Sequence, residues 1–185
     1  VNIVEIMGRH AGWLAGASAL AGVTGQGPDL VYLPERNFDM EQFLNDVTQV
    51  VKNTGHCLVA VSEGIHYADG TYINDVKTAA ADGFGHVQLG GLAVYLADIV
   101  KHRLGYKARG IELSLLQRCA AHIASQTDLD ESYVAGRAAV ERAISGESDC
   151  MIGFTRSEGA EYQCEVASVP LMETANAEKK VPDGW

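Results

Sequence analysis

The chain has 185 residues, 47% of them hydrophobic and 21% charged, with a formal net charge of −10. That is enough apolar residue for a real core and too little charge for a disordered chain. The acid excess argues against a nucleic-acid partner, which needs Lys and Arg in surplus on one face, and no apolar run is long enough to span a membrane.

Residues 1–6 read as a buried strand. They run into Met7-Gly8-Arg9-His10-Ala11-Gly12-Trp13, and residues 10–21, rich in Ala and Gly, read as a helix packed closely on a sheet. Such a strand–turn–helix junction is suited to an anionic ligand. Glycines let the backbone come close, a helix start offers free N–H groups, and Arg9 supplies a forked cation. The pattern does not identify the anion.

Residues 29–33 form a second predicted strand, stopped by Pro34. Asp39 and Gln42 mark the start of an amphipathic helix that Gly55 ends. A third strand over residues 57–61 delivers Ser62-Glu63-Gly64 at its end, and residues 65–88 read as a surface loop. A helix over residues 90–104 and a strand over residues 107–113 follow, with Leu116-Gln117-Arg118 just beyond. Thr127 and Asp130 match a capping box before a helix ending near Gly146. Residues 150–155 and 161–169 read as a hairpin around Gly159, and the tail after Met172 as helical or loose.

Alternating strands and helices predict an α/β fold, a Rossmann-like three-layer sheet with helices on both faces. Ligands sit beyond the C-terminal strand ends in such sheets. Arg9, Glu63 and Arg118 all follow predicted strands, and that convergence outweighs any single motif. Taken singly each has a plainer reading: Met7 as core, Arg9 as a surface partner of Glu5, Glu63 as a solvated carboxylate, Arg109 as structural. Cys57, Cys119, Cys150 and Cys164 form no Cys-x-x-Cys pair and read as buried reduced thiols of a cytoplasmic protein. The six histidines lack ligand spacing, so no metal site is expected. His10, His56, His66, His86 and His102 are assigned to surface or satisfied positions, and Asp69 and Asp75 to a loop with no mark of a catalytic pair. The chain begins at Val1, inside a predicted strand, and is expected to be a piece of a longer polypeptide.

Three motifs in order carry a resemblance to the 6-phosphofructokinase family. "EIMGRHAGW" resembles its fructose 6-phosphate loop, "VAVSEG" its sugar-binding strand end, and "KARGIELSLLQR" its phosphate-binding strand. They cover residues 1 to about 156 by order and spacing, and the "HAGWLA" wording is more like the pyrophosphate-dependent members than the ATP-dependent ones. The resemblance implies a phosphofructokinase fold, in part, and a glycolytic phosphoryl transfer to the 1-hydroxyl of fructose 6-phosphate. It implies that Met7 and Gly8 line the sugar and that Arg9, the one catalytic residue expected here, faces the transferring phosphoryl group. Glu63 would accept from sugar hydroxyls, Arg118 would hold the 6-phosphate, and Arg109 would reach the 6-phosphate of a neighbouring copy in a homo-oligomer. Magnesium would be held mainly by residues outside this chain.

Two departures stand out. Leu115 replaces a histidine the family often has, and Cys119-Ala120-Ala121-His122 replaces the usual glycine pair, which leaves His122 as a substitute or the phosphate with fewer partners. No Gly-Gly-Asp donor loop is present, and no Asp-x-Asp stretch of the family's catalytic-base type. The expected organisation is a fructose 6-phosphate domain over residues 1–118, with residues 119–185 packing back on a donor domain. The chain alone is expected to be inactive. The alternatives are an ATP-dependent enzyme of the same fold and a noncatalytic sugar-phosphate-binding regulatory module.

Overall fold

In the computed structural model, which describes residues 1–73 and 91–184, the apolar run of β1 (Asn2–Ile6) is central to a four-stranded parallel sheet. The order is β2 (Leu30–Tyr32), β3 (Leu58–Ser62), β1, β4 (Arg109–Glu112). Asn2 pairs with Leu58 on one side and with Arg109 on the other, so all four strands end at the same edge.

Alternation along β1 divides the core. Ile3 joins Val59 and Val61 beneath α2 (Met40–Thr54) and α3 (Leu92–Leu104), with Phe43, Val47, Leu96 and Val100 filling the layer. Ile6 and Ala60 face the other way, onto Ala15 of α1 (Trp13–Ala17). Helices therefore cover both faces, as the α/β reading requires. Helix α2 begins where its sequence says: Asp39 accepts from Gln42 N at 2.9 Å, and Gly55 closes it in the left-handed conformation.

Three local expectations change. The first helix is five residues long and passes into a 3-10 segment, Ser18–Thr24. Gly12 at its start offers no capping side chain, and Ser18 Oγ bonds back to Ala15 O. The cap of α5 (Gln126–Ile144) is Ser125, not Thr127; its Oγ accepts from Asp128 N at 3.4 Å. Only Cys57 is buried, while Cys119 is exposed and Cys150 and Cys164 are half-buried; all four thiols are free. Asp75, His86 and the predicted helix start at Gly90 lie outside the described residues.

Contacts divide the chain into two units, Val1–Cys119 with Lys179–Trp185, and Ala120–Glu178. Residues 179–183, grouped by sequence with the second segment, thus join the first. Trp13 Nε1 donates to Lys179 O at 2.6 Å, Val181 N donates to Glu35 Oε1 at 3.0 Å, and Arg36 pairs with Asp183 at 3.0 Å. Between Glu112 and the second unit lies α4 (Leu116–Cys119).

The second unit holds a 3-10 turn at Ala121–Ile123, helix α5, the antiparallel pair β5 (Cys150–Arg156) and β6 (Cys164–Pro170), and α6 (Leu171–Thr174). No residue of α5 is buried, and Leu129, Tyr133, Val140 and Ile144 form an exposed stripe at helical spacing. Val134 is also exposed, and Ala138, predicted to share an open face with it, is half-buried. A stripe of this kind favours self-association. Sedimentation velocity should show concentration-dependent association of the 185-residue chain, abolished by Val140→Asp with Ile144→Lys. Unchanged association of the double variant would place the contact elsewhere.

Candidate functional site

The C-terminal ends of β1, β3 and β4 bring three short segments together. After β1 the backbone turns at Gly8, whose φ of +148° is a conformation that side-chain-bearing residues rarely adopt. Ser62 Oγ, at the end of β3, donates to Gly8 O. Glu63 N donates to Ile6 O at 2.9 Å, and Glu63 Oε1 lies 3.4 Å from Gly8 N. Gly64 makes the approach of the two segments possible: a Cβ there would stand 1.6 Å from Arg9 O.

Beyond β4, Ser114 takes a left-handed φ of +41°, an uncommon conformation for a residue with a side chain. The turn it makes swings α4 back over the edge, where Gln117 Oε1 accepts from Met7 N at 2.8 Å. Arg118, the next residue, is exposed beside this junction. Met7, Gly8, Glu63 and the segment carrying Arg118 are therefore neighbours.

The Arg9 side chain lies to the other side. It lines a cavity of about 170 Å³ with His10, Pro34, His66, Gly70, Tyr72 and Lys180. Neither Glu63 nor Arg118 lines that cavity. Along the edge the order is thus Arg9 towards the β2 side, Gly8 and Glu63 in the middle, and Gln117 and Arg118 on the β4 side. Arg109 is at the opposite edge, first in β4 and paired with Asn2, beside a cavity it shares with Val1, Asn2 and Lys107. His122 belongs to the second unit.

Several supporting groups carry no sequence signal of their own. Ser62 and Gln117 stand next to predicted residues, yet their roles depend on pairing across strands. Glu35 accepts from Gly12 N at 2.9 Å and from Val181 N at 3.0 Å, while its buried Oε2 has no hydrogen-bond partner among the described residues. Glu5, the residue a surface reading would pair with Arg9, is only 6% exposed and accepts from Ala93 N at 3.0 Å at the start of α3.

Burial raises the pKa of Glu5, the Ala93 N–H lowers it in part, and the nearby Glu112 and Glu63 charges raise it further. The sign of the consequence follows from linkage. Below the ordinary carboxylate range Glu5 is protonated whether folded or not, so it contributes no pH dependence there. As pH rises through its folded pKa, ionisation inside the protein costs stability. Glu5→Gln keeps an acceptor for Ala93 N and cannot ionise. Urea unfolding should find the variant more stable than the parent at pH 7, with the gap closing towards pH 4. A gap that widens on acidification would contradict this account.

Among the described residues no group of three His, Cys, Asp or Glu side chains could hold a metal ion. No described helix is long and apolar enough to cross a membrane.

Comparison with known proteins bears on the family and the fold. The family profile Phosphofructokinase matches residues 1–112. A pyrophosphate–fructose 6-phosphate 1-phosphotransferase of Methylococcus capsulatus is 45% identical over 98% of this chain, which spans 43% of that relative. One from Xanthomonas campestris pv. campestris is 46% identical over the whole chain and 44% of the relative. A sulfofructose kinase of Alkalicoccus urumqiensis is 35% identical over the whole chain and 47% of its own length. The crystal structure of a pyrophosphate-dependent phosphofructokinase from Nitrosospira multiformis superposes with a TM-score of 0.81 at 38% identity, over 98% of this chain and 42% of that one. The chain therefore spans less than half the length of each of these relatives.

Proposed function

This chain belongs to the phosphofructokinase family, and from that premise we propose that it is the sugar-phosphate side of a pyrophosphate-dependent enzyme phosphorylating the 1-hydroxyl of fructose 6-phosphate. The observation that carries the reading is the order of groups along one sheet edge: a cation at Arg9, a carboxylate at Glu63, a cation at Arg118. A sugar phosphate that receives a phosphoryl group at its other end suits this layout. Arg118 takes the 6-phosphate, Glu63 accepts from ring hydroxyls in the middle, and Arg9 meets the phosphoryl group arriving at the 1-hydroxyl.

The chemistry asked of these residues is positioning and charge. Phosphoryl transfer proceeds in line, with negative charge spread over the equatorial oxygens, and a fixed cation beside them lowers the barrier. Arg9 is held by its own backbone, since Arg9 O sits against Gly64. Met7 and Gly8 form the floor, anchored by Gln117 and Ser62. The family's magnesium has no fitting donor set among the described residues; the chain's own groups bind and orient the acceptor. Pyrophosphate as donor is supported by the names of the relatives at 44–46% identity, and ATP by none of these three. Arg109, at the far end of β4, serves a neighbouring copy in a homo-oligomer. Residues 120–178 pack on the donor side of the complete cytoplasmic protein.

The test is a coupled assay of a full-length enzyme containing this chain, with magnesium, pyrophosphate or ATP as donor, and fructose 6-phosphate or sulfofructose as acceptor. Turnover with pyrophosphate and fructose 6-phosphate is expected. Turnover confined to ATP, or to sulfofructose, would overturn the donor or the acceptor assignment respectively. No turnover with any pair, alongside retained fructose 6-phosphate binding, would favour a regulatory module.

A further inference from the structure

We propose that Lys180 is a second cation of the Arg9 cavity and binds the same phosphate or diphosphate oxyanion. It is brought there by residues 179–183, which return to the first unit at the C-terminal end of the chain. In calling that oxyanion the donor group the inference rests on the functional reading above, but the binding claim stands on the cavity itself.

The cavity is lined by Arg9, His10 and His66 together with Lys180, and no carboxylate is among its described lining residues. In a chain of net charge −10, a cavity whose described lining residues include cationic and imidazole side chains and no acid is out of keeping with the bulk composition. Its volume of about 170 Å³ is of the order a phosphate group occupies with its water. Two acids stand nearby without lining the cavity: Asp69, which has a favourable electrostatic interaction with His66, and Glu35, whose Oε1 is engaged by Gly12 N and Val181 N.

Lys180 is not placed by chance of a loose tail. The residue before it accepts a hydrogen bond from Trp13 Nε1 at 2.6 Å, and the residue after it donates to Glu35 Oε1 at 3.0 Å. Asp183 is tied to Arg36 at 3.0 Å, an exposed pair that adds register more than energy. The same Glu35 oxygen accepts from Gly12 N at 2.9 Å, at the start of α1. One carboxylate thus joins the two segments that carry Lys180 and Arg9. The backbone on both sides of Lys180 is fixed, and its four-carbon stem reaches the cavity from a defined base. A lysine here adds a compact charge to the forked one of Arg9. Two cations from separate segments hold a diphosphate more tightly than either alone.

Isothermal titration of the 185-residue chain with sodium pyrophosphate and with inorganic phosphate tests the proposal. Lys180→Met should weaken pyrophosphate binding about tenfold, one charge-assisted contact at a partly exposed site. Lys180→Arg should keep affinity within about threefold, since the charge is retained. Lys179→Met, whose backbone but not side chain is engaged, should bind as the parent does. All three should melt at the parent temperature, which separates lost contact from lost fold. Unchanged pyrophosphate affinity in Lys180→Met, or no pyrophosphate binding by the parent chain, would overturn the proposal. If the full-length enzyme turns over no sugar phosphate while the Lys180 dependence of pyrophosphate binding persists, the functional reading falls and this one stands.

Discussion

Arg9→Ala in a full-length enzyme should lower turnover by about 10²- to 10³-fold, the cost of removing one fixed charge donor from a transition state, while fructose 6-phosphate affinity shifts by less than about threefold. The split follows from the geometry. Arg9 lines the cavity on the β2 side, apart from Glu63 and Arg118, the residues proposed to hold the acceptor. Its charge matters most as the phosphoryl group moves, so it acts on kcat. Steady-state kinetics with fructose 6-phosphate varied at saturating pyrophosphate measures both quantities. A raised KM at unchanged kcat would make Arg9 a ground-state binding residue and undo its role.

Gly64→Ala should destabilise the first unit by about 3 kcal/mol or more, because the atom it inserts meets backbone and not a yielding side chain. The added Cβ would stand 1.6 Å from Arg9 O and 2.4 Å from Arg9 C. Either β3 parts from the loop or the loop leaves its place over the sheet edge. Both movements displace the Gly8–Glu63 contact, so the fructose 6-phosphate binding proposed for this edge should be lost along with stability. Gly16→Ala is the matched control, since its Cβ would find only Leu33 Cδ1 at 4.0 Å. Urea unfolding of the two variants beside the parent checks the difference. Equal midpoints would mean that the close approach of β3 and the loop is not required.

These two residues also show what could be read from sequence and what could not. The strands were legible because each is a short apolar run ended by a turn residue, and α2 because Asp39, Gln42 and Gly55 bracket a clean helical pattern. That Arg9, Glu63 and Arg118 each stand beyond a strand was legible because each follows such a run. Other features were hidden for physical reasons. The division of the edge into an Arg9 side and an Arg118 side depends on strand order, which no local pattern encodes. Glu5 looks like a surface acid until α3 lands on it with Ala93 N. Glu35 and Lys180 meet through a contact 146 residues long in sequence, between Glu35 and Val181. Helix α1 is short because the chain passes into 3-10 geometry at Ser18, and its start at Gly12 has no capping side chain; a run rich in Ala and Gly marks neither. Ser125 was passed over as the cap of α5 because Thr127 and Asp130 offer the same spacing two residues later.

The central claim is that this chain presents a binding site for a sugar phosphate at its sheet edge. The most direct measurement is isothermal titration of the 185-residue chain, and of its Arg118→Ala variant, with fructose 6-phosphate and with fructose. The account predicts that fructose 6-phosphate binds and fructose does not, and that Arg118→Ala weakens fructose 6-phosphate about tenfold or more, as the loss of a charge-assisted phosphate contact requires. Equal affinity of the parent chain for the two sugars, or an Arg118→Ala variant that binds fructose 6-phosphate as the parent does, would contradict it.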